Sequence, residues 1–506
     1  MTIRPIIGFE IHVQLATRTK LFCACAVEFG VEANSRVCPV CLGLPGSLPV
    51  LNRAAYEAAV KAAVALGCTI SPMTKWDRKS YYYPDLPKNY QISQYDLPVG
   101  FDGAFEIPLA GGGTKRIGII RAHLEEDAGK NMHEGLAHTR VDLNRTGTPL
   151  LEIVTQPDIA DAEEAYAFCI ELQRLVRFLG ISAADMQKGQ MRFEPNVNVA
   201  ITTADGHEYR TPISEVKNLN SFRAVRLAVQ HEIDRQVREW RRDPTYTLAN
   251  RGKFNFGWND ATEATEFQRG KEESHDYRYF PDPDLVPVEA DSAWLEGQRA
   301  AVGELPVARQ RRFEHDYGIN PKDAEIILAD AATADLYEAA RGRGADTTTL
   351  TKQFLGFWNN LASARGTTIG GLGVDAERMA ELVGLVTDGA ISATAAAQVA
   401  ERLCERATGT GNAATANAGV ADSVRSIAES AGLLQVRDES ATAAWIDAAF
   451  AAHPQAVADA LGDNERKSKA APGFLRGQVM KLSNGKADPK LTGDLIERKL
   501  LEMRPR

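Results

Sequence analysis

An α+β region up to about residue 290, followed by an all-α remainder, is the fold class that the sequence predicts. Three observations lead to it. Short runs of alternating apolar and polar residues recur through the first half, interleaved with two long stretches of helical i, i+3/i+4 spacing. Beyond residue 290 the character changes to Ala-rich amphipathic sequence with no alternating runs. At 506 residues the chain is also too long for a single hydrophobic core, so about two to four domains are expected.

The strands come first. In "GFEIHVQL" (8–15), period-two alternation puts Phe9, Ile11 and Val13 on one face and Glu10, His12 and Gln14 on the other. In "IGIIRAHLEE" (117–126), Ile120, Ala122 and Leu124 are expected on one side, with Arg121, His123 and Glu125 opposite. The acidic stretch "HLEEDAGK" (123–130) then sets Glu126 across the strand from Glu125 and leaves Asp127 to the following turn, with Lys130 beyond. "PLLEIVT" (149–155) inserts Glu152 among apolar neighbours. "MRFEPNVNVAI" (191–201) opposes Phe193, Pro195 and Val197 to Arg192, Glu194, Asn196 and Asn198, and "TPISEVKNL" (211–219) aligns Glu215 with Lys217.

Two helices are expected over 161–180 and 221–240, headed by Asp161 and Ser221 as caps, with Gly180 closing the first. "YYYPDLPKNYQISQYD" (81–96) is too rich in proline and polar residues for a core segment and reads as a shaped loop, whose Tyr82 and Lys88 would meet a nucleotide or an acceptor end; "KEESHDYRYFPDPDL" (271–285) is similar. Further on, 321–342 and 376–389 read as helices, and 407–420 as a small-residue linker. Asp488 and Pro489 mark the start of a last helix. The final 46 residues hold eleven Lys/Arg against six Asp/Glu.

The net charge of −9 argues against a basic coat for nucleic acid, so a nucleic-acid partner would have to be bound locally, and the basic patch sits at the C-terminus. No apolar run has the length of a spanning helix, and the N-terminal stretch lacks a signal-peptide or transit character, so a cytoplasmic protein with no membrane partner is expected. Four of the seven cysteines, Cys23, Cys25, Cys38 and Cys41, form a C-x-C and C-x2-C pair within nineteen residues. That pattern fits a closed, structural Zn²⁺ site across 22–42; reduced free thiols are the alternative.

The five polar strand faces carry Glu, His and Asn rather than the Lys, Thr and mixed charges of an ordinary wet sheet face. Carboxylates, imidazole and amide oxygens suit Mg²⁺ and its waters, with Lys and Arg for phosphate oxygens; a solvated face of an antiparallel sheet is the plain alternative. There is no G-x4-G-K-[ST] loop, so any ATP must be held without one, and there is neither a Ser-rich amidase signature nor a glutaminase-type cysteine.

"VDLNRTGTPLLEIVTQPD" (141–158), with "GFEIHVQL", "FCAC…CPVCLGLPGSLPVLN", "YYYPDLPKNYQISQYD", "HLEEDAGK", "EVKNLNSFRAV", "DYRYFPDPDL" and "GQVMKLSNGKADP", closely resembles the GatB family, the B subunit of the bacterial Asp/Glu-tRNA amidotransferase. The resemblance runs from residue 3 to about residue 500. It implies a catalytic cradle domain over 1–292, a helical domain over 293–353 and a YqeY-like, tRNA-binding tail domain over 354–506. It further implies ATP and Mg²⁺ as cofactors. Its implied partners are an amidase/glutaminase (the A subunit) and a small C subunit of a heterotrimer, with misacylated Glu-tRNA(Gln) or Asp-tRNA(Asn) as substrate. The B subunit would phosphorylate the side-chain carboxylate, and ammonia from the glutaminase would displace the phosphate.

On that resemblance Glu10, His12, Glu125 and Glu215 are expected in the Mg²⁺ shell, with Lys217 acting beside them. Lys88, Arg192 and Tyr82 would meet phosphate or substrate, backed by Glu126, Glu152 and Asn198, and Lys481, Lys486 and Lys490 would face tRNA. The chain departs from the common family pattern at Glu194-Pro195, where a shorter acid is usual, and at Phe256, where an Arg is usual and Arg269 is the substitute. A non-catalytic tRNA scaffold and a kinase acting on a free metabolite are the competing functions.

Overall fold

The computed structural model describes residues 1–132, 138–271, 277–407, 423–435, 438–462, 464–483 and 485–503. Of the expected linker over 407–420, residues 408 onward lie outside the described residues, as do 272–276 of the aromatic run. The chain divides into two compact units, Met1–Arg312 and Phe313–Arg506.

A ten-stranded sheet organises the first unit. Its strands are β1 (Thr2–Gln14), β2 (Thr69–Ile70), β5 (Gly100–Pro108), β6 (Thr114–Glu126), β7 (Pro149–Thr155), β8 (Met191–Thr202), β9 (Glu208–Arg210), β10 (Ile213–Lys217), β11 (Lys253–Asn259) and β12 (Ala264–Lys271). Between β2 and β5, strands β3 (Asp77–Ser80) and β4 (Tyr90–Ser93) pair in a smaller sheet with Phe280–Pro281. The main order is β12-β11-β10-β8-β1-β7-β6-β5-β2, with β9 pairing β8. Every pairing is antiparallel except β10 with β11.

One face of this sheet is dry. Ile7, Phe9, Ile11 and Val13 of β1, Leu151 and Ile153 of β7, Phe193 of β8 and Val216 of β10 are all buried in a single core. Helices α2 (Ala162–Phe178) and α3 (Phe222–Arg242) pack over it, Phe9 meeting Phe168 at 5.5 Å and Phe193 meeting Phe222 at 6.0 Å between ring centroids. Asp161 caps α2 by accepting from the Glu164 N–H, and Ser221 caps α3 by accepting from Ala224, as the sequence predicts. Helix α1 (Arg53–Ala65) buries its alanine-rich stripe of Ala55, Ala59, Ala62 and Ala63 together with Val60.

Two expectations need correction. Ile120 does not share the side of Ala122 and Leu124: it is 39% exposed, and the β6–β7 register jumps from Arg121↔Val154 to Ile119↔Thr155, leaving Ile120 as the extra residue of a bulge. Ile117 and Ile119 face the core on one parity, Ala122 and Leu124 on the other. Residues 81–96 are not wholly loop either. Tyr90–Ser93 is a strand, with Gln91, Ile92 and Ser93 buried.

No described strand follows Glu289, and from Ser292 onward the chain is built of helices. In the second unit Phe313, Tyr337, Phe354 and Trp358 are fully buried, and Ile446, Leu475, Val479 and Ile496 anchor a further cluster. The last helix, Pro489–Met503, starts where expected, Asp488 accepting from Lys490 and Leu491 N–H groups.

Candidate active site and cysteine cluster

The other sheet face carries the polar residues of five strands. Antiparallel register sets Arg192, His12, Glu152 and His123 in one row across β8, β1, β7 and β6, and the next row pairs Glu194 with Glu10. Because side chains alternate, Glu10 and His12, and likewise His123 and Glu125, project from that same face.

His12 and His123 share their carboxylates. His12 Nε2 lies 3.4 Å from Glu152 Oε2 and 3.7 Å from Glu125 Oε1; His123 Nε2 lies 3.6 Å from Glu152 Oε2 and 3.7 Å from Glu125 Oε2. Ligand atoms of His12, Glu125 and Glu152 fall within 4.8 Å of one another, a set able to hold a cation. Burial alone would push both carboxyls up. The hydrogen bond of His123 and the charge of Lys79 instead leave Glu125 lowered, and His123, His12 and Lys79 hold Glu152 well below its ordinary range. Burial opposes the charged form of His12, but Glu152 outweighs it and raises the imidazole. The Nδ1 atoms of both histidines are buried without a hydrogen-bond partner among the described residues.

Glu10 and Glu215, expected in the same shell, stand outside this set among the described residues. They belong to a second, lysine-rich group. Lys217 reaches Glu194 at 2.7 Å and Glu215 at 2.8 Å, while Lys253 reaches Glu215 at 2.8 Å and Glu10 at 3.7 Å. Glu215 is lowered because Lys217 and Lys253 overcome its burial, and Lys217, whose burial alone would lower it, is raised by Glu194 and Glu215. Asn196 donates to Glu10 Oε1 at 3.1 Å, and the Oδ1 atoms of Asn196 and Asn255 are buried acceptors with no partner among the described residues. Glu194 thus reaches a lysine despite the neighbouring proline. At the other departure, Phe256 lies under the Arg235 guanidinium, 4.4 Å from its ring centroid, in place of a polar contact.

The turn after β6 is more than a turn. Asp127 is buried, accepting from Arg192 Nη2 at 2.9 Å and Gln14 Nε2 at 2.7 Å, so the guanidinium of Arg192 is anchored beside the histidines. Glu126 is buried as well, ion-paired with Lys88 and accepting from the Ile92 N–H at 3.1 Å. Ser93 donates to Glu125 at 3.3 Å. Asn198 is buried opposite Ile6, whereas Tyr82 is 72% exposed and takes part in no hydrogen bond of this face among the described residues. Lys79, Asp127, Ser93 and Lys253 were not among the expected site residues. Alternation in "KFNFGWN" puts Lys253 and Asn255 on one face and was readable; Lys79 and Ser93 arrive from the smaller sheet, which no local pattern announces.

Cys23, Cys25, Cys38 and Cys41 form the second set with metal-ligand spacing. Their sulfurs converge on Cys41, at 4.0 Å from Cys23, 3.8 Å from Cys25 and 3.6 Å from Cys38. Four thiolates held tetrahedrally at the zinc–sulfur distance would stand about 3.8 Å apart. The Cys41 thiol is drawn down to about 4, first by the thiol of Cys23 and then, against burial, by the charge of Lys20. Gly43 ends the short helix Pro39–Leu42 at φ 65°, and a Cβ there would lie 2.5 Å from Lys88 Cγ, so the knuckle backbone rests on the Lys88 stem.

The comparisons with known proteins agree along the chain. Residues 5–296 match the GatB/GatE catalytic domain and residues 335–500 the GatB domain. The B subunit of aspartyl/glutamyl-tRNA(Asn/Gln) amidotransferase from Rhodopirellula baltica is 42% identical over 98% of this chain and 96% of its own length. The proteins of the same name from Caldanaerobacter subterraneus and Moorella thermoacetica are each 41% identical over 99% of this chain and all of theirs. With a catalytic-domain match over more than half its length and full-length relatives at this identity, the chain belongs to the family of aspartyl/glutamyl-tRNA(Asn/Gln) amidotransferase B subunits.

Proposed function

We propose that the chain is the B subunit of a tRNA-dependent, glutamine-hydrolysing amidotransferase, and that its polar sheet face activates the side-chain carboxylate of Glu-tRNA(Gln) or Asp-tRNA(Asn). The observation that carries this reading is the buried row of His12, Glu152 and His123 with Glu125 beside it, in which both carboxyls are held below their ordinary range by neighbouring cations. A carboxylate is a poor electrophile until one oxygen becomes a leaving group. In the proposed sequence that oxygen attacks the γ-phosphorus of ATP, ADP departs, and an acyl phosphate forms. Ammonia then adds to the carbonyl carbon, the bond to the phosphate oxygen breaks, and one proton of the nitrogen passes to the departing inorganic phosphate, leaving the amide. Ammonia would come from a glutaminase, the A subunit, with a small C subunit to complete the heterotrimer in the cytoplasm.

His12, Glu125 and Glu152 are the residues that would hold Mg²⁺, since one ligand atom from each falls within 4.8 Å of the others and two of the three donors are carboxylate oxygens. Bound there, the ion would neutralise charge on the transferring phosphoryl group. Arg192 and Lys79 would orient the substrate carboxylate. Lys217 and Lys253, now satisfied by Glu194, Glu10 and Glu215, would exchange those partners for phosphate oxygens. Lys88 and Glu126 would border the same space, with Tyr82 and Asn198 as peripheral contacts. The four thiolates would hold Zn²⁺ as a structural staple, and the domains would divide at residues 292 and 353 as the resemblance implies. Lys481, Lys486 and Lys490, all exposed, would meet the tRNA backbone.

The test is an amidation assay on the reconstituted heterotrimer with ATP and each misacylated tRNA. Conversion of at least one is expected. Glu152→Gln and Glu125→Ala should each lower turnover by at least about 100-fold, since even residues that merely support a metal ligand cost about 10–100-fold. Amidation unimpaired in both variants would favour the tRNA scaffold instead.

A further inference from the structure

Lys20 is a buried cation with an unusual partner. Its side chain is 0% exposed, yet among the described residues it pairs with no carboxylate. Nζ donates instead to the Arg36 carbonyl at 2.7 Å and to Cys41 Sγ at 3.7 Å. Its backbone is pinned on both sides: the Lys20 N–H donates to Cys25 O at 3.0 Å, and its carbonyl accepts from Asn52 Nδ2 at 3.2 Å. A charge taken out of water needs an opposite charge or neutralises itself. Among the described residues, no carboxylate forms an ion pair with it, and the group it touches that can carry negative charge is the Cys41 sulfur.

The demand runs both ways. Four thiolates around a divalent ion carry a net charge of −2; Cys23, Cys25 and Cys38 are half-buried and Cys41 is buried, so that charge is least screened by water at the sulfur Lys20 touches. Cys41 is the sulfur on which the other three converge, and it also receives the Cys38 N–H at 3.1 Å. The Lys20 ammonium therefore adds a second N–H donor to the most heavily bonded sulfur.

We infer that Lys20 is the positioning residue of the cysteine cluster, the cation that balances its thiolates and keeps its metal bound. This rests on the reading that the four cysteines hold Zn²⁺. N–H···S bonds of this kind draw charge from a thiolate and so stabilise the charged cluster against release of the ion, as outer partners of metal ligands do elsewhere.

The experiment uses the full heterotrimer as wild type, Lys20→Met, Lys20→Arg and Lys20→Gln, the last keeping a neutral donor should the methionine variant not fold. Zinc content is measured directly, and zinc transfer to a colorimetric chelator gives relative affinity. Samples reloaded with Co²⁺ report the sulfur-to-metal charge-transfer band. Affinity should fall about 10–100-fold in Lys20→Met, less in Lys20→Gln and least in Lys20→Arg. The cobalt band should move to longer wavelength in Lys20→Met, because losing the hydrogen bond raises the energy of the sulfur lone pairs. Wild-type affinity and an unmoved band in both uncharged variants would overturn the role of Lys20. Wild-type protein that purifies folded without metal would overturn the zinc reading itself, a result visible before any variant is compared.

Discussion

Glu232 shows how this chain treats a buried charge away from the chemistry. It is fully buried on α3, with Arg235 donating from Nε to Oε1 and from Nη2 to Oε2, both at 2.8 Å. Burial by itself would raise the carboxyl, but the guanidinium fork more than offsets it and the group ends up lowered. A carboxyl lowered by folding contributes stability above its unfolded value of about 4.3, and that contribution is lost as pH falls through the native value. Arg235→Met should therefore destabilise the first unit by about 3 kcal/mol at pH 7, at the low end for a broken buried pair because Thr265 and Gln236 still donate to the carboxylate. The difference from wild type should shrink toward pH 3. Denaturant unfolding at the two pH values measures it, and a pH-independent difference would refute the ion pair. Lys20 follows the same rule with sulfur in place of carboxylate.

At the scale of elements, the bulge in β6 has the clearest consequence. With Ile120 expelled from the ladder, Ile120→Thr should change stability by no more than about 0.5 kcal/mol, the range of ordinary surface substitutions. Leu124→Ala, on the same parity but fully buried, should cost about 2–5 kcal/mol. Equal losses in thermal or denaturant unfolding would restore the unbroken alternation. The same bulge marks where the sequence could be read and where it could not. β7, β8, both long helices with their caps, and the polar face of Glu10, His12, Glu125, Glu152 and Glu215 follow from period and capping chemistry, which act over a few residues. The extra residue in β6 has no local signature, since Ile suits either face. Nor does alternation within a strand say which strands are neighbours: Glu152 falls between the two histidines only because β7 lies between β1 and β6, and Glu215 joins lysines because β10 is four strands away from β6. For that reason the expected single shell of Glu10, His12, Glu125 and Glu215 resolves into a histidine–carboxylate group and a lysine–carboxylate group.

At the scale of the whole molecule, a chain of net charge −9 would have to hold tRNA through a restricted surface, and the exposed lysines Lys481, Lys486 and Lys490 are the ones proposed for it. Replacing Lys481, Lys486 and Lys490 together with Gln should raise the tRNA KM without changing kcat at saturation. For each phosphate left without its lysine, the dependence of log affinity on log salt should flatten by about 0.7–0.9. A binding titration at several salt concentrations checks this; an unchanged slope would move the interface elsewhere. The parallel pairing of β10 and β11 carries one more consequence. It requires α3 as the crossover between them, so Lys253 meets Glu215 and Glu10 only after that helix has folded back across the sheet. A nascent chain holds His12, His123 and Glu152 once β7 is complete at Thr155, but it has no Lys253 for the second group until about a hundred more residues have been made. On the proposed function, competence for chemistry would trail the appearance of its first half by a full stretch of translation, and a truncated product of that half would be born without it.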